Sequence, residues 1–197
     1  MPKPDLNLFL LQQLTIDLSL IDRNHYLAKT DRRENDVEHS MTVALLCWYI
    51  FDTYAVSLDI AKILKYALAH DFVERYAGDV NTFASDTARI QKTHDEKASL
   101  ERMSKEMREF SSLIEAMRAY EDKTDEESVF VWTVDKMQAL IMGDLDDWRP
   151  YAELDITYEE FCQKYSELLA ASSQYGRDIF EGLIEYSKQT YYDRPKR

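Results

Sequence analysis

The 197-residue chain is predicted to be all-α. Three observations carry that prediction. It holds only four glycines and four prolines, too few for the closely spaced turns a sheet protein needs. Short polar residues followed three positions later by glutamate recur ahead of apolar stretches, which is the signature of a capped helix N-terminus. Apolar residues also return at intervals of three and four.

A first helix is expected over 5–22. The pair Asn35 and Glu38 starts a second over 36–56, with the stripe Val43, Leu46, Cys47 and Ile50 on one face. Ser57 is a candidate cap for a third over 58–76, striped by Ile60, Ile63, Leu64, Ala67 and Leu68. Thr87 is a weaker cap for 88–120, a charged segment with Leu100, Met103, Met107, Phe110, Leu113, Ile114 and Met117 at helical intervals. That stripe reads as an ordinary core face. Thr124 with Glu127 starts a helix over 125–143, and Thr157 with Glu160 starts one over 157–190, where Gly176 and Gly182 are places for a break or kink.

Hydrophobic residues make up 45% of the chain, enough for a core, and the length suits one domain over 1–197. A net charge of −13 argues against a nucleic-acid polymer as partner, because phosphate neutralisation needs Lys and Arg. Cys47 and Cys162 read as two buried thiols without a disulfide. The opening Met1-Pro2-Lys3-Pro4 lacks a signal-type pattern, and the apolar run 43–51 is too short to span a membrane. A soluble cytoplasmic protein with no membrane partner is expected.

Polar residues embedded in the apolar stripes are the informative departure. His39 shares a face with Val43, Leu46 and Ile50. His70 and Asp71 end the run 63–69, and Asp71 is in phase with Leu64, Ala67 and Leu68. Asp135 follows the apolar run 130–134. A buried ionised carboxylate costs several kcal/mol unless it is paired or bound to a cation. One such residue alone is more often a hydrogen-bonded core residue. Two imidazoles and two carboxylates from separate elements point instead to a divalent metal site. His94-Asp95 repeats the dipeptide within the charged stretch 89–97, which reads as a solvated face. Asp144, Asp146 and Asp147 lack the spacing of a calcium loop and read as a solvated helix end.

At these residues the chain resembles the HD-domain metal-dependent phosphohydrolase superfamily, whose signature is a His, a later His-Asp pair and a distant Asp. The contexts Glu34-Asn35-x-x-Glu38-His39-Ser40, His70-Asp71-x-x-Glu74 and Gly78-Asp79, with Leu20-Ile21-Asp22-Arg23 upstream, look like its bacterial deoxyribonucleoside 5′-monophosphatase branch. The likeness covers roughly 14–142; beyond it lies a helical segment of about 150–190. It implies an HD-type helical bundle with a mononuclear site between helices, where His39, His70, Asp71 and Asp135 hold one divalent ion (Co, Mn, Mg, Zn, Ni or Fe). It further implies Arg23 on the substrate phosphate, Glu74 and Asp79 as catalytic carboxylates, and a nucleotide pocket including Asn24, Asp71 and Asp79 through Thr82. On a continuing helix, His70, Asp71 and Glu74 would share one face.

Two departures bear on specificity. The branch carries Trp after the arginine where this chain has Asn24, which leaves the sugar open, and the loop Val80-Asn81-Thr82-Phe83 lacks the family's prolines. Arg32 and Arg33 are alternative phosphate contacts. The resemblance implies a homodimer, although Phe161, Tyr165, Leu168, Leu169, Ile179, Phe180 and Ile184 could equally pack within one chain. Three functions stand open: a phosphatase of nucleoside 5′-monophosphates, an HD hydrolase of a nucleoside triphosphate or alarmone, and a helical regulatory module with a structural metal. The spare carboxylates Glu74 and Asp79 weigh against the third.

Overall fold

The computed structural model describes residues 5–193, so the reading of Met1 to Pro4 and the outer ends of the 1–197 domain fall outside it. Helix α1 (Leu6–Leu18) is capped by Asp5, which accepts from the Asn7 amide. It ends short of residue 22, because the chain turns at Ser19 and enters strand β1 (Asp22–Tyr26). This strand pairs antiparallel with β2 (Arg33–Asn35), Asp22 opposite Asn35 and Tyr26 opposite Arg33, with a bulge between. The all-α expectation holds but for this hairpin, whose sequence shows no apolar alternation to announce it.

Helix α2 (Asp36–Thr53) starts as predicted. Asn35 accepts from the Val37 and Glu38 amides while Glu38 accepts from the Asn35 amide, a complete capping box. Helix α3 (Ile60–Ala69) is capped by Asp59 rather than Ser57 and stops at His70 rather than at 76. Bonds from the Phe72 amide to the Ala69 carbonyl and from Glu74 to Asp71 wind a tight turn into the single-turn α4 (Glu74–Ala77). The continuing helix expected to carry Glu74 is therefore replaced by this turn.

The predicted 88–120 helix is two, α5 (Asp86–Glu106) and α6 (Ser111–Asp122), parted where Met107 is buried and Phe110 is exposed. Ser85, not Thr87, caps α5. Helix α7 (Glu126–Leu145) is capped by Asp125 with Ser128 in place of Thr124 with Glu127. A short α8 (Arg149–Glu153) follows, unforeseen in the sequence. The Thr157 and Glu160 box opens α9 (Tyr158–Ala170) as expected. The predicted 157–190 helix breaks after it, and α10 (Arg177–Asp193) begins beyond Gly176 and runs unbroken through Gly182.

Helix α7 is the centre of the packing, lying against α2, α3, α6 and α10. Its Phe130, Val131, Val134, Met137 and Leu140 meet Val43, Cys47 and Ile50 of α2 and Ile63 and Ala67 of α3 in one buried cluster. A second focus is aromatic: Trp148, Tyr151, Phe161, Tyr165 and Tyr191 pack edge-on, tilted or stacked. Phe161, Tyr165, Leu168, Phe180 and Ile184 thus bury within the chain. Cys47 is buried and Cys162 half-buried, both free. The acidic helix end departs from the solvated reading. Asp146 is buried, accepting from the Lys29 amide at 3.1 Å and from Arg149 at 2.8 Å, and so ties the hairpin to α8. Among the described residues no helix is long and apolar enough to cross a membrane.

Candidate metal centre and cavity

The capping box sets His39 one turn into α2, facing α7. Its Nδ1 bonds Gln138 Oε1 at 3.0 Å, and Gln138 in turn donates to Glu34 at 2.8 Å. Because the Gln138 oxygen accepts, Nδ1 carries a hydrogen and Nε2 is the nitrogen a metal ion would take, 3.1 Å from Asp135 Oδ1 and 3.6 Å from Asp71 Oδ2. His70, at the end of α3, is fixed likewise: its Nδ1 donates to the Ala67 carbonyl at 2.8 Å. Its Nε2 is buried without a hydrogen-bond partner, 3.2 Å from Asp71 Oδ2. Two imidazole Nε2 atoms and two carboxylates therefore converge. Atoms of His39, His70 and Asp135 lie within 4.8 Å of one another.

This donor set fits a borderline divalent ion, with each imidazole oriented through its other nitrogen. The electrostatics agree. Burial and Arg23 act to lower the His39 pKa, yet the Asp135 carboxylate that accepts from its ring and the nearby Glu34 carboxylate raise it to about 9. Burial acts to raise Asp71, but His70 and Arg23 overcome it and hold the carboxyl well below its usual range. Both directions favour a positive charge at this place, which a divalent ion could supply.

Beside it stands a second acidic group, Asp36, Asp71 and Glu74, all buried. Arg23, on β1, places Nη1 at 2.5 Å from Asp71, 3.2 Å from Asp36 and 3.8 Å from Glu74. Burial raises the Glu74 pKa well above normal, and Asp71 adds to it. Burial, then Asp71, raises Asp36 to about 6. Asp36 escaped the sequence reading because an acid in the first helical turn looks like ordinary helix-dipole chemistry.

A cavity of about 200 Å3 opens onto both groups. Arg23, Asn24, Asp71, Glu74, Asp79, Thr82 and Asp135 all line it, while His39 and His70 lie behind. Gly78 makes this possible: at φ 74°, ψ 161° it adopts a conformation open to glycine, and the chain folds back so that Asp79 to Phe83 face the cavity. Arg32 and Arg33 do not line it; they engage Glu38 and Glu153. His94 is exposed as expected, but the same stretch sends Lys92 and Glu96 into the cavity wall, contrary to its solvated reading. His25 is a further lining residue that sequence reasoning missed, its Nδ1 enclosed and unpartnered. Burial, with Arg23 beyond it, lowers its pKa to about 3. Phe83 and Tyr151 form an aromatic wall, and Trp132 and Lys136 stand along α7.

Solved structures share this architecture. A predicted metal-dependent phosphohydrolase from Magnetospirillum magnetotacticum MS-1 matches with a TM-score of 0.74 and 22% identity, over 98% of this chain and 99% of its own. A conserved hypothetical protein from Pyrococcus furiosus matches with a TM-score of 0.61 and 21% identity, over 90% of this chain and 99% of its own. No curated protein matches the sequence significantly. The family model described as HD domain matches residues 17–175, most of the chain and every residue of the cluster, and the protein belongs to that HD domain family.

Proposed function

We propose that the protein is a metal-dependent phosphohydrolase that releases phosphate from nucleoside 5′-monophosphates. The observation that carries this reading is the juxtaposition of two carbonyl- and amide-oriented imidazoles, the acids Asp71 and Asp135, and the Arg23 guanidinium at the floor of one cavity. A divalent ion held by His39, His70, Asp71 and Asp135 would lower the pKa of water and neutralise charge on phosphorus. Arg23 presents a planar fork of donors suited to a phosphate, already pre-aimed by Asp36 and Asp71. Glu74, whose pKa burial raises well above the ordinary carboxylate range, is suited to pass a proton to the leaving oxygen. The neutral side of the cavity, with Asn24, Thr82, Phe83 and Tyr151, is suited to a nucleoside. A homodimer remains the assembly we expect.

A phosphate-release panel of nucleoside mono-, di- and triphosphates with Co²⁺, Mn²⁺, Mg²⁺ and Zn²⁺ tests the reading. Orthophosphate from monophosphates alone is expected, and Asp71→Ala should lose both bound metal and turnover. Pyrophosphate or triphosphate release would move the protein to the polyphosphate hydrolases. Tight metal without turnover would make it a regulatory module.

A further inference from the structure

Glu74 has two unlike oxygens. Oε1 accepts a hydrogen bond from Lys92 Nζ at 3.1 Å. Oε2 is buried without a hydrogen-bond partner and stands 3.8 Å from Arg23 Nη1, among the oxygens of Asp36 and Asp71. A carboxylate turns about a broad, roughly two-fold torsion, so a donor fixed on one oxygen decides where the other points. The single-turn α4 supplies little else to hold it. Lys92 is itself held. It rises from the 21-residue α5, its Nζ lies 3.3 Å from Glu96 one turn on, and its side chain is only 24% exposed.

We propose that Lys92 is a positioning residue that grips Glu74 by Oε1 and so aims Oε2 at the place where Arg23 receives the substrate phosphate. The proposal rests on the phosphohydrolase reading of this site. It assigns a task to a residue of the charged stretch 89–97, and it differs from a direct phosphate contact. A lysine on substrate would act on binding, whereas one that aims Glu74 acts on turnover.

The test compares wild type, Lys92→Met, Lys92→Arg, Glu74→Gln and the Lys92→Met/Glu74→Gln double variant on adenosine or deoxyadenosine 5′-monophosphate. Lys92→Met should lower kcat by ~10–100-fold, the scale on which small misplacements act, with KM within about twofold. Lys92→Arg should recover kcat to within about fivefold. In the Glu74→Gln background Lys92→Met should cost less than about twofold, because residues acting as one unit are not additive. Manganese affinity, read without turnover, should be unchanged within about threefold. If Lys92→Met melts early, Lys92→Gln, too short to reach Glu74, reads the same quantity. An unchanged kcat, a rise in KM alone, or an undiminished loss in the Glu74→Gln background would each overturn the positioning role. A wild-type protein that binds metal but releases no phosphate would overturn the enzymatic reading and this one with it, whereas an active wild type indifferent to Lys92 overturns this one alone.

Discussion

Glu34, Asp36, Asp71, Glu74 and Asp135 are all buried. Taking one such charge out of water costs several kcal/mol before compensation. Arg23, Lys92 and Lys136 each touch at least one of these acids, Lys136 at 2.8 Å from Asp135. His25 adds a cost of the opposite kind, since burial and the nearby Arg23 disfavour its charged form. Its folded pKa of about 3 lies below the unfolded value of ~6.5, so the unfolded chain takes the proton first as pH falls. Its contribution is fully present above about pH 6.5 and is lost progressively toward pH 3. Urea unfolding of metal-free protein should lose ~1–2 kcal/mol more between pH 7 and 5 in wild type than in His25→Gln. Equal losses would show that the ring is free to charge. The sequence revealed His39, His70, Asp71 and Asp135 because each interrupts an apolar stripe. It concealed Asp36, Lys92 and His25, whose neighbours are polar, so that nothing local marks them as inward. Arg23 was legible through family likeness alone, for a charged residue in a short strand carries no periodic signal.

Elements whose ends are written in side-chain chemistry were the easiest to foresee. The Asn35 and Thr157 boxes sit where the sequence places them, and the first of these sets the entry angle of the helix bearing His39. The break at 171–176 was announced by Gly176, whereas those at 70 and 107–110 were hidden, because apolar residues keep a helical interval across them and only tertiary contacts decide where the backbone bends. Gly143 shows how tight one such contact is. A Cβ there would lie 2.8 Å from Trp148 and from Tyr151, both buried. Alanine has the better helix propensity by ~1 kcal/mol, but overpacking a rigid aromatic contact costs ~1–3 kcal/mol. Gly143→Ala should therefore lower Tm, by about 2–8 °C for a loss of ~1–2 kcal/mol in a chain of this size. A Tm equal to or above wild type would mean that α8 swings away freely.

At the scale of the molecule, net charge and metal are one subject. A surplus of 13 negative charges lies partly at the centre, where it destabilises the fold unless a cation joins it. A divalent ion that binds the folded chain alone adds RT ln(1 + [L]/Kd), ~2.7 kcal/mol at one hundred times Kd, or about 5–10 °C in Tm. Thermal melts with Mn²⁺ and with EDTA should differ by that amount, and the difference should vanish in Asp71→Ala. A persistent difference would locate the stabilising ion elsewhere.

The centre also has a history in time. His39 and Asp135 meet across 96 residues of chain. At roughly 5–20 residues per second, a ribosome needs about 5–20 s to deliver the second after the first. For roughly the last two thirds of that interval, after His70 and Asp71 are made, α2 and the end of α3 present imidazoles and an acid with no α7 to close over them. If the site takes a divalent ion, the nascent chain would meet it with an open, incomplete set of donors, closed only when Asp135 arrives.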